Sequence, residues 1–223
     1  MTRASTGTYR GASSEERRED RRNRLLDAAL AIIGTRGLAA LTVRGVCERA
    51  KVGPRFFYEA FPDLDALAAE LLLGIQQAGL DRARQAIAET SADPEARIRA
   101  GVAALITELT DDPRRAKIVF AQAYGSEALM RSRFDGMRRV AEVIIEQTRV
   151  VLDLPEGQDA AVAVTSQLIT GGAAELVLIW LDGQLEVDRD GLIDLLADFA
   201  VDMLARIPAL AERLRTTKKF AAS

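Results

Sequence analysis

The chain has 223 residues, 48% of them hydrophobic, and a formal net charge of −3, enough to bury a sizeable core in one large domain or in a small one joined to a larger. Ala, Leu and Arg are abundant and Pro is scarce, a mix that favours helices over strands and excludes a basic disordered protein. Histidine is absent and Cys47 is the single cysteine, which removes the commonest general base, a favoured zinc ligand and any intrachain disulfide; no catalytic residue, metal or cofactor is expected.

Residues 1–18 are polar and predict a flexible tail, although the run Ser13 to Glu16 has the spacing of a capping box. The first helix is predicted over Glu19 to Thr35, with Leu25, Leu26, Ala29, Ile32 and Ile33 on one face and Gly37 as its stop. Thr42 caps a second helix to about Ala50, whose stripe Val43, Val46, Cys47 and Ala50 faces inward. Pro54 opens a short third helix that ends near Ala60. A long amphipathic helix over Asp63 to Glu89 has the length of a connector between domains.

Further along, Asp93-Pro94 and Asp112-Pro113 each pair an Asp cap with Pro at the first helical position. Ser126 is placed to cap a long helix carrying Phe134, Met137, Val140 and Ile144, and a turn with Pro155 and Gly157 follows. Two very apolar helices over Asp159 to Leu181 and Gly191 to Ile207 come last, before a second flexible tail at 212–223. Residues 1–24 lack an apolar core, and the most apolar stretch, Leu176 to Leu181, is too short to span a bilayer. A soluble, cytoplasmic chain without a membrane partner is expected.

Charge divides the chain in two. Residues 1–61 carry +5 and residues 62–223 carry −8, so only the N-terminal module has the sign to meet phosphates. Its helix, tight turn and short helix form a helix-turn-helix pattern. The run Thr42-Val43-Arg44-Gly45-Val46-Cys47 through Ala50, Val52, Phe57, Tyr58 and Phe61, then Leu67, resembles the TetR family of transcriptional regulators. That likeness is clear over about residues 20–70; the remainder agrees in length, helix count and apolar final pair. Gly53 stands where the family has Ser, Ala60 where it has His or Tyr, and Leu64 where it has Lys.

The resemblance implies an all-α fold: a three-helix DNA-binding domain at 19–62, then a helical ligand-binding and dimerisation domain at 63–211. The DNA-binding residues are then Thr42, Arg44, Lys51, Pro54, Arg55, Phe56 and Tyr58. Arg44 lies near the positive end of the second helix, where phosphate is favoured. Arg55 has two readings, a fork on guanine or a clamp on phosphate. Tyr58 is a phosphate or groove contact, and Phe56 either presses on a thymine methyl or packs on the connector helix. Phe57 and Phe61 belong to the core, and Glu59 is a solvated or pairing charge.

In the acidic part, Phe120, Tyr124, Gln167, Glu175 and Trp180 are polar or aromatic groups set in apolar runs, which suits a cavity wall or ordinary packing. A buried Glu175 needs a partner, which hints at a cationic group on a largely apolar or aromatic ligand. The final helix pair has more apolar surface than a monomer uses, which predicts a homodimer through residues 159–207, with packing on the helix at 127–151 as the alternative. The implied function is a repressor released from a palindromic double-stranded operator by a small-molecule inducer. An activator, a ligand-independent regulator, a helical-scaffold enzyme and a pure interaction module are the alternatives.

Overall fold

A computed structural model describes residues 14–91, 93–121, 127–152 and 158–221. Ser13, Ser126, Pro155 and Gly157, and the features expected there, lie outside the described residues. Among those described, regular structure is entirely helical: α1 (Ser14–Arg36), α2 (Val43–Ala50), α3 (Pro54–Ala60), α4 (Leu64–Glu89), α5 (Pro94–Thr110), α6 (Pro113–Ala116), α7 (Glu127–Leu152), α8 (Asp159–Leu181), α9 (Arg189–Ala205) and α10 (Ile207–Ala221). A single 3-10 turn follows α1, and α6 runs on into a wider π-type turn over Lys117–Ala121.

Short polar side chains set most of these boundaries. Thr42 accepts from the amide of Gly45, Asp63 from Ala66, Asp93 from Ala96, Asp112 from Arg114 and Asp188 from Gly191, each satisfying an orphan donor of a first turn. Gly37, at φ 83°, ends α1 in a conformation that a side chain would strain.

The described parts of both predicted tails are helical. Residues 14–18 are the first turns of α1, with Glu15 and Glu16 at its positive end; they lack an apolar stripe because this part of the helix is solvated, so periodicity had nothing to detect. Residues 212–221 are helical in α10, which packs Ile207 and Ala211 into the core with Leu210 and Leu214 against it. The break before α10 is the short turn at Arg206, which divides what the sequence reads as one helix end.

One core runs through both predicted domains. Leu25, Ile32, Val46, Phe57 and Phe61 of the N-terminal bundle join Leu67 and Leu72 of α4, then Leu109, Ala116, Phe120, Val177 and Leu196. Residue 62 is therefore a boundary in charge and motif while packing continues across it. A second cluster, around Val162, Ile169, Ala200, Leu204 and Ile207, closes the far end.

Helix α8 is 23 residues long with a mean hydropathy of 1.6 over its most apolar window, which meets the length and composition of a membrane span. The apolar run is thus longer than Leu176 to Leu181. Here it packs against α7, α9 and α10, and a third of that window is buried.

Candidate functional site

The helix-turn-helix is built around Phe57 and Phe61, both almost wholly buried. Phe57 holds Tyr58 edge-on with centroids 5.3 Å apart, so the Tyr58 ring is braced while 60% of the residue stays exposed. Lys51 turns the chain between α2 and α3 at φ 54°, its amide donating to the carbonyls of Cys47 and Glu48. Pro54 starts α3 behind Gly53, which offers no side-chain cap.

Arg44, Lys51, Pro54 and Tyr58 line one shallow concavity between α2 and α3, shared with Val43, Cys47, Glu48 and Val52. Arg55 and Phe56 lie outside it. Arg44 and Arg55 are almost fully exposed, and each is held by the carboxylate one turn on, Glu48 at 2.7 Å and Glu59 at 3.0 Å. Glu48 holds the Arg44 guanidinium proton more firmly than usual. Phe56 is half-covered, but its partner is α1: the Arg21 guanidinium stands 4.5 Å over the ring. A cation–π contact with α1 is thus one partner of the Phe56 ring.

Sequence reasoning missed the residue that fixes the module to α4. Arg22 donates to both carboxylate oxygens of Glu70, to the Ala60 carbonyl at 2.8 Å, and covers the Phe61 ring at 4.4 Å. The fork of an Arg on a carboxylate is specific in geometry, so α1, α3 and α4 are tied at one point.

In the larger helical part, α4, α5, the π-type turn, α7, α8 and α9 enclose a cavity of about 180 Å³. Its wall is almost wholly apolar. Along α4 it runs from Gln76 to Ile87, about 16 Å at the rise of a helix. Phe120 lies in this wall. Gln167 and Glu175 do not: they are exposed on α8, because the cavity face of that helix is Ile169, Thr170, Ala173, Ala174 and Val177. Exposure removes the burial argument for a partner to Glu175, and with it the hint of a cationic ligand. Trp180 also lies outside the wall; its indole donates to the Val187 carbonyl at 2.9 Å, pinning the end of α8 to the loop before α9. Tyr124 lies outside the described residues.

The polar groups that do line the cavity were missed: Gln76, Arg97, Arg133, Gln147, Thr148 and Thr170. A signal was present for two of them. Gln76 falls on the stripe Leu72, Leu80, Ala83 and Arg133 on the stripe Leu129, Gly136, Val140, both at helical spacing. Gln76 crosses α7 where Gly136 lacks a side chain and accepts from Arg139 at 3.4 Å.

A third feature is an apolar face without cover in the single chain. Val164, Leu168 and Ile179 of α8 and Leu195 and Phe199 of α9 are exposed, with Gly172 open beside them. Among the described residues no cluster of three or more His, Cys, Asp or Glu could hold a metal ion.

Residues 25–71 match the family model of bacterial regulatory proteins of the tetR family. The chain is 26% identical over 200 residues to the HTH-type transcriptional activator FasR of Mycolicibacterium smegmatis, covering 86% of each. Its fold is similar to the fatty acid degradation regulator FadR of Bacillus halodurans, with TM-score 0.68, 18% identity and 81% and 94% of the two chains covered. It is also similar to FadR of Bacillus subtilis, solved in complex with stearoyl-CoA, with TM-score 0.64, 15% identity and 83% and 96% covered.

Proposed function

We propose that this chain, which matches the TetR family in its recognition helices and in its overall fold, is a transcriptional regulator that binds an operator as a homodimer and is controlled by a long-chain acyl compound. The carrying observation is the apolar cavity, which is elongated along α4 and shares that helix with the recognition module. A stearoyl-CoA complex of a chain with the same fold supports an acyl ligand.

The mechanism follows from volume and connectivity. At about 180 Å³ the cavity is smaller than a usual site for a drug-sized ligand, about 300–1,000 Å³. A long chain must part the helices around it, and α4 carries that movement to α1 and α3 through Glu70 and Arg22. Two modules spaced for successive major grooves then change separation, and the population shifts between operator-bound and free dimers.

Thr42, Arg44, Lys51, Pro54, Arg55, Phe56 and Tyr58 are the proposed DNA contacts. The exposed faces of α8 and α9 are the proposed dimer seam, since a free apolar surface of that kind marks a partner. For the sense of control, the likeness to an activator favours activation over the repression that the sequence resemblance implied.

Sequencing the genomic fragments retained by the purified protein yields the operator. Titrating it at fixed salt with Arg55→Ala and Tyr58→Phe then tests the face. Arg55→Ala is expected to cost about 1–3 kcal/mol and flatten one base preference per half-site, while Tyr58→Phe weakens all DNA alike, by about 1 kcal/mol. Transcripts beside the operator should fall when the gene is deleted; a rise restores repression as the reading.

A further inference from the structure

One hydroxyl in the cavity wall breaks a rule that its neighbours keep. Thr35, Thr90, Thr110 and Thr170 each return a hydrogen bond to the carbonyl four residues back, at 2.6–2.8 Å, which is how a threonine within a helix satisfies its hydroxyl. Thr148, on the last turns of α7, is 3% exposed, and its Oγ1 has no hydrogen-bond partner among the described residues. A buried hydroxyl left so is costly unless something else fills its place, and Thr148 faces the cavity.

Two further polar groups line that cavity. Gln147 is the preceding residue of α7. Arg97 comes from the first turn of α5; its Nε donates to the Ser91 carbonyl at 3.0 Å, and no carboxylate pairs with it within 4 Å among the described residues. Arg99, two positions on, is by contrast held by both Glu95 and Asp198. Ile98 and Ile144 beside these groups both pack on the second core cluster, which fixes this as the cavity end far from the recognition module. From here to Leu109, Phe120, Val177 and Leu196 the wall is mostly apolar, and those last residues belong to the core shared with α1–α3.

We propose that Arg97, Gln147 and Thr148 form the head-group subsite of the cavity, taking the anionic polar end of a single-chain amphiphile whose alkyl tail extends along α4 toward the recognition module. The proposal rests on the acyl-ligand reading and adds the ligand's orientation and its charge. Half-exposed Arg97 supplies the charge at the rim, Gln147 an amide donor, and Thr148 a buried hydroxyl in the wall that a ligand parting the helices would reach. The opposite orientation would set the head beside Arg133 and Gln76, so it predicts a different set of sensitive residues.

Calorimetric titration of the full-length protein without DNA tests this with three probes: hexadecanoate, hexadecanoyl-CoA and hexadecanol, below their micellar concentrations. Thr148→Val keeps the shape and removes the hydroxyl; the ligand-free variant should melt at or above the wild-type temperature yet bind hexadecanoate about tenfold more weakly. Arg97→Gln should weaken the anionic probes by about tenfold or more and leave hexadecanol unchanged. Preference for hexadecanoate over its CoA thioester identifies a carboxylate as the group at Arg97, and the reverse preference a phosphate-bearing head; either supports the subsite. Wild-type affinity in both variants, with Arg133→Gln weakened instead, overturns the subsite and leaves the acyl reading standing. If wild-type protein binds none of the three probes, the acyl reading itself fails.

Discussion

Gly34 of α1 and Arg114 of α6 pass so close that a methyl group at residue 34 would come within 2.8 Å of the Arg114 Cα. The obstacle is backbone, so no rotamer change can relieve it. Gly34→Ala should force α1 and α6 apart and cost about 1–3 kcal/mol of stability. Since α6 leads into the turn that carries Phe120 to the cavity, ligand should also lose part of its effect on DNA affinity. Thermal melts together with operator titrations, with and without hexadecanoyl-CoA, check both; an unchanged melting temperature contradicts the close approach.

Lys51 holds a left-handed conformation at φ 54° that only glycine adopts without strain, and it lies on the proposed DNA face. Lys51→Gly should therefore raise stability by about 1 kcal/mol while weakening DNA binding. The slope of affinity against salt should shrink by about 1, as expected when one phosphate is no longer neutralised. Denaturant unfolding and titration at several salt concentrations separate the two effects.

Glu59 occupies Arg55 in the free protein. Its replacement by Gln should leave stability within about 0.5 kcal/mol, as for other exposed pairs, and tighten operator binding, because an Arg no longer has to leave a carboxylate. Weaker binding of Glu59→Gln at low salt would show that Glu59 positions Arg55 for the DNA.

Leu168 is 55% exposed in the centre of the free α8 face. A carboxylate there cannot be buried in a seam without a partner, so Leu168→Glu should sediment near the single-chain mass of 24.2 kDa with helix content intact. Wild-type protein at micromolar concentration should show about twice that mass. A dimeric Leu168→Glu would move the seam elsewhere.

Asp112 caps α6 and binds Arg114, which holds its carboxyl below the ordinary value of 3.8. A carboxyl lowered on folding contributes stability that is full above that ordinary value and is lost as pH falls through the folded one. Acid melting curves of the wild type and Asp112→Asn should thus stand fully apart above about pH 4 and draw together progressively as pH falls below it, through the lowered folded value. Parallel curves over the whole range would remove the charge from the account and leave only the cap.

How much the sequence disclosed depends on what surrounds each helix. Thr42, Phe57 and Phe61 are legible because α2 and α3 have one buried side and one wet side, so spacing alone assigns them. Helix α8 has Ile169 and Val177 facing the cavity and Leu168 and Ile179 facing outward, apolar on both counts, and the periodicity that would have told Gln167 and Glu175 from wall residues is erased. Gln76 and Arg133 did leave a signal, but a polar residue on an otherwise apolar stripe looks like an interruption until the cavity supplies its setting. The Arg22–Glu70 tie spans 48 positions, a separation over which local pattern carries no information.

Trp180 is the one tryptophan in the chain, and its indole is half-buried where the end of α8 meets the Val187 carbonyl. Tryptophan emission, excited selectively over the tyrosines, consequently comes from a single structural corner, between the free α8–α9 face and the core beneath the recognition module. Loss of the indole hydrogen bond or a change in its hydration will shift that emission without any attached dye. The only thiol, Cys47, is buried, and burial pushes its pKa up and suppresses the thiolate, so it reacts sluggishly with alkylating reagents. The fold thus comes with its own optical gauge of movement at the α8–α9 corner, and one that chemistry at the recognition helices will not disturb.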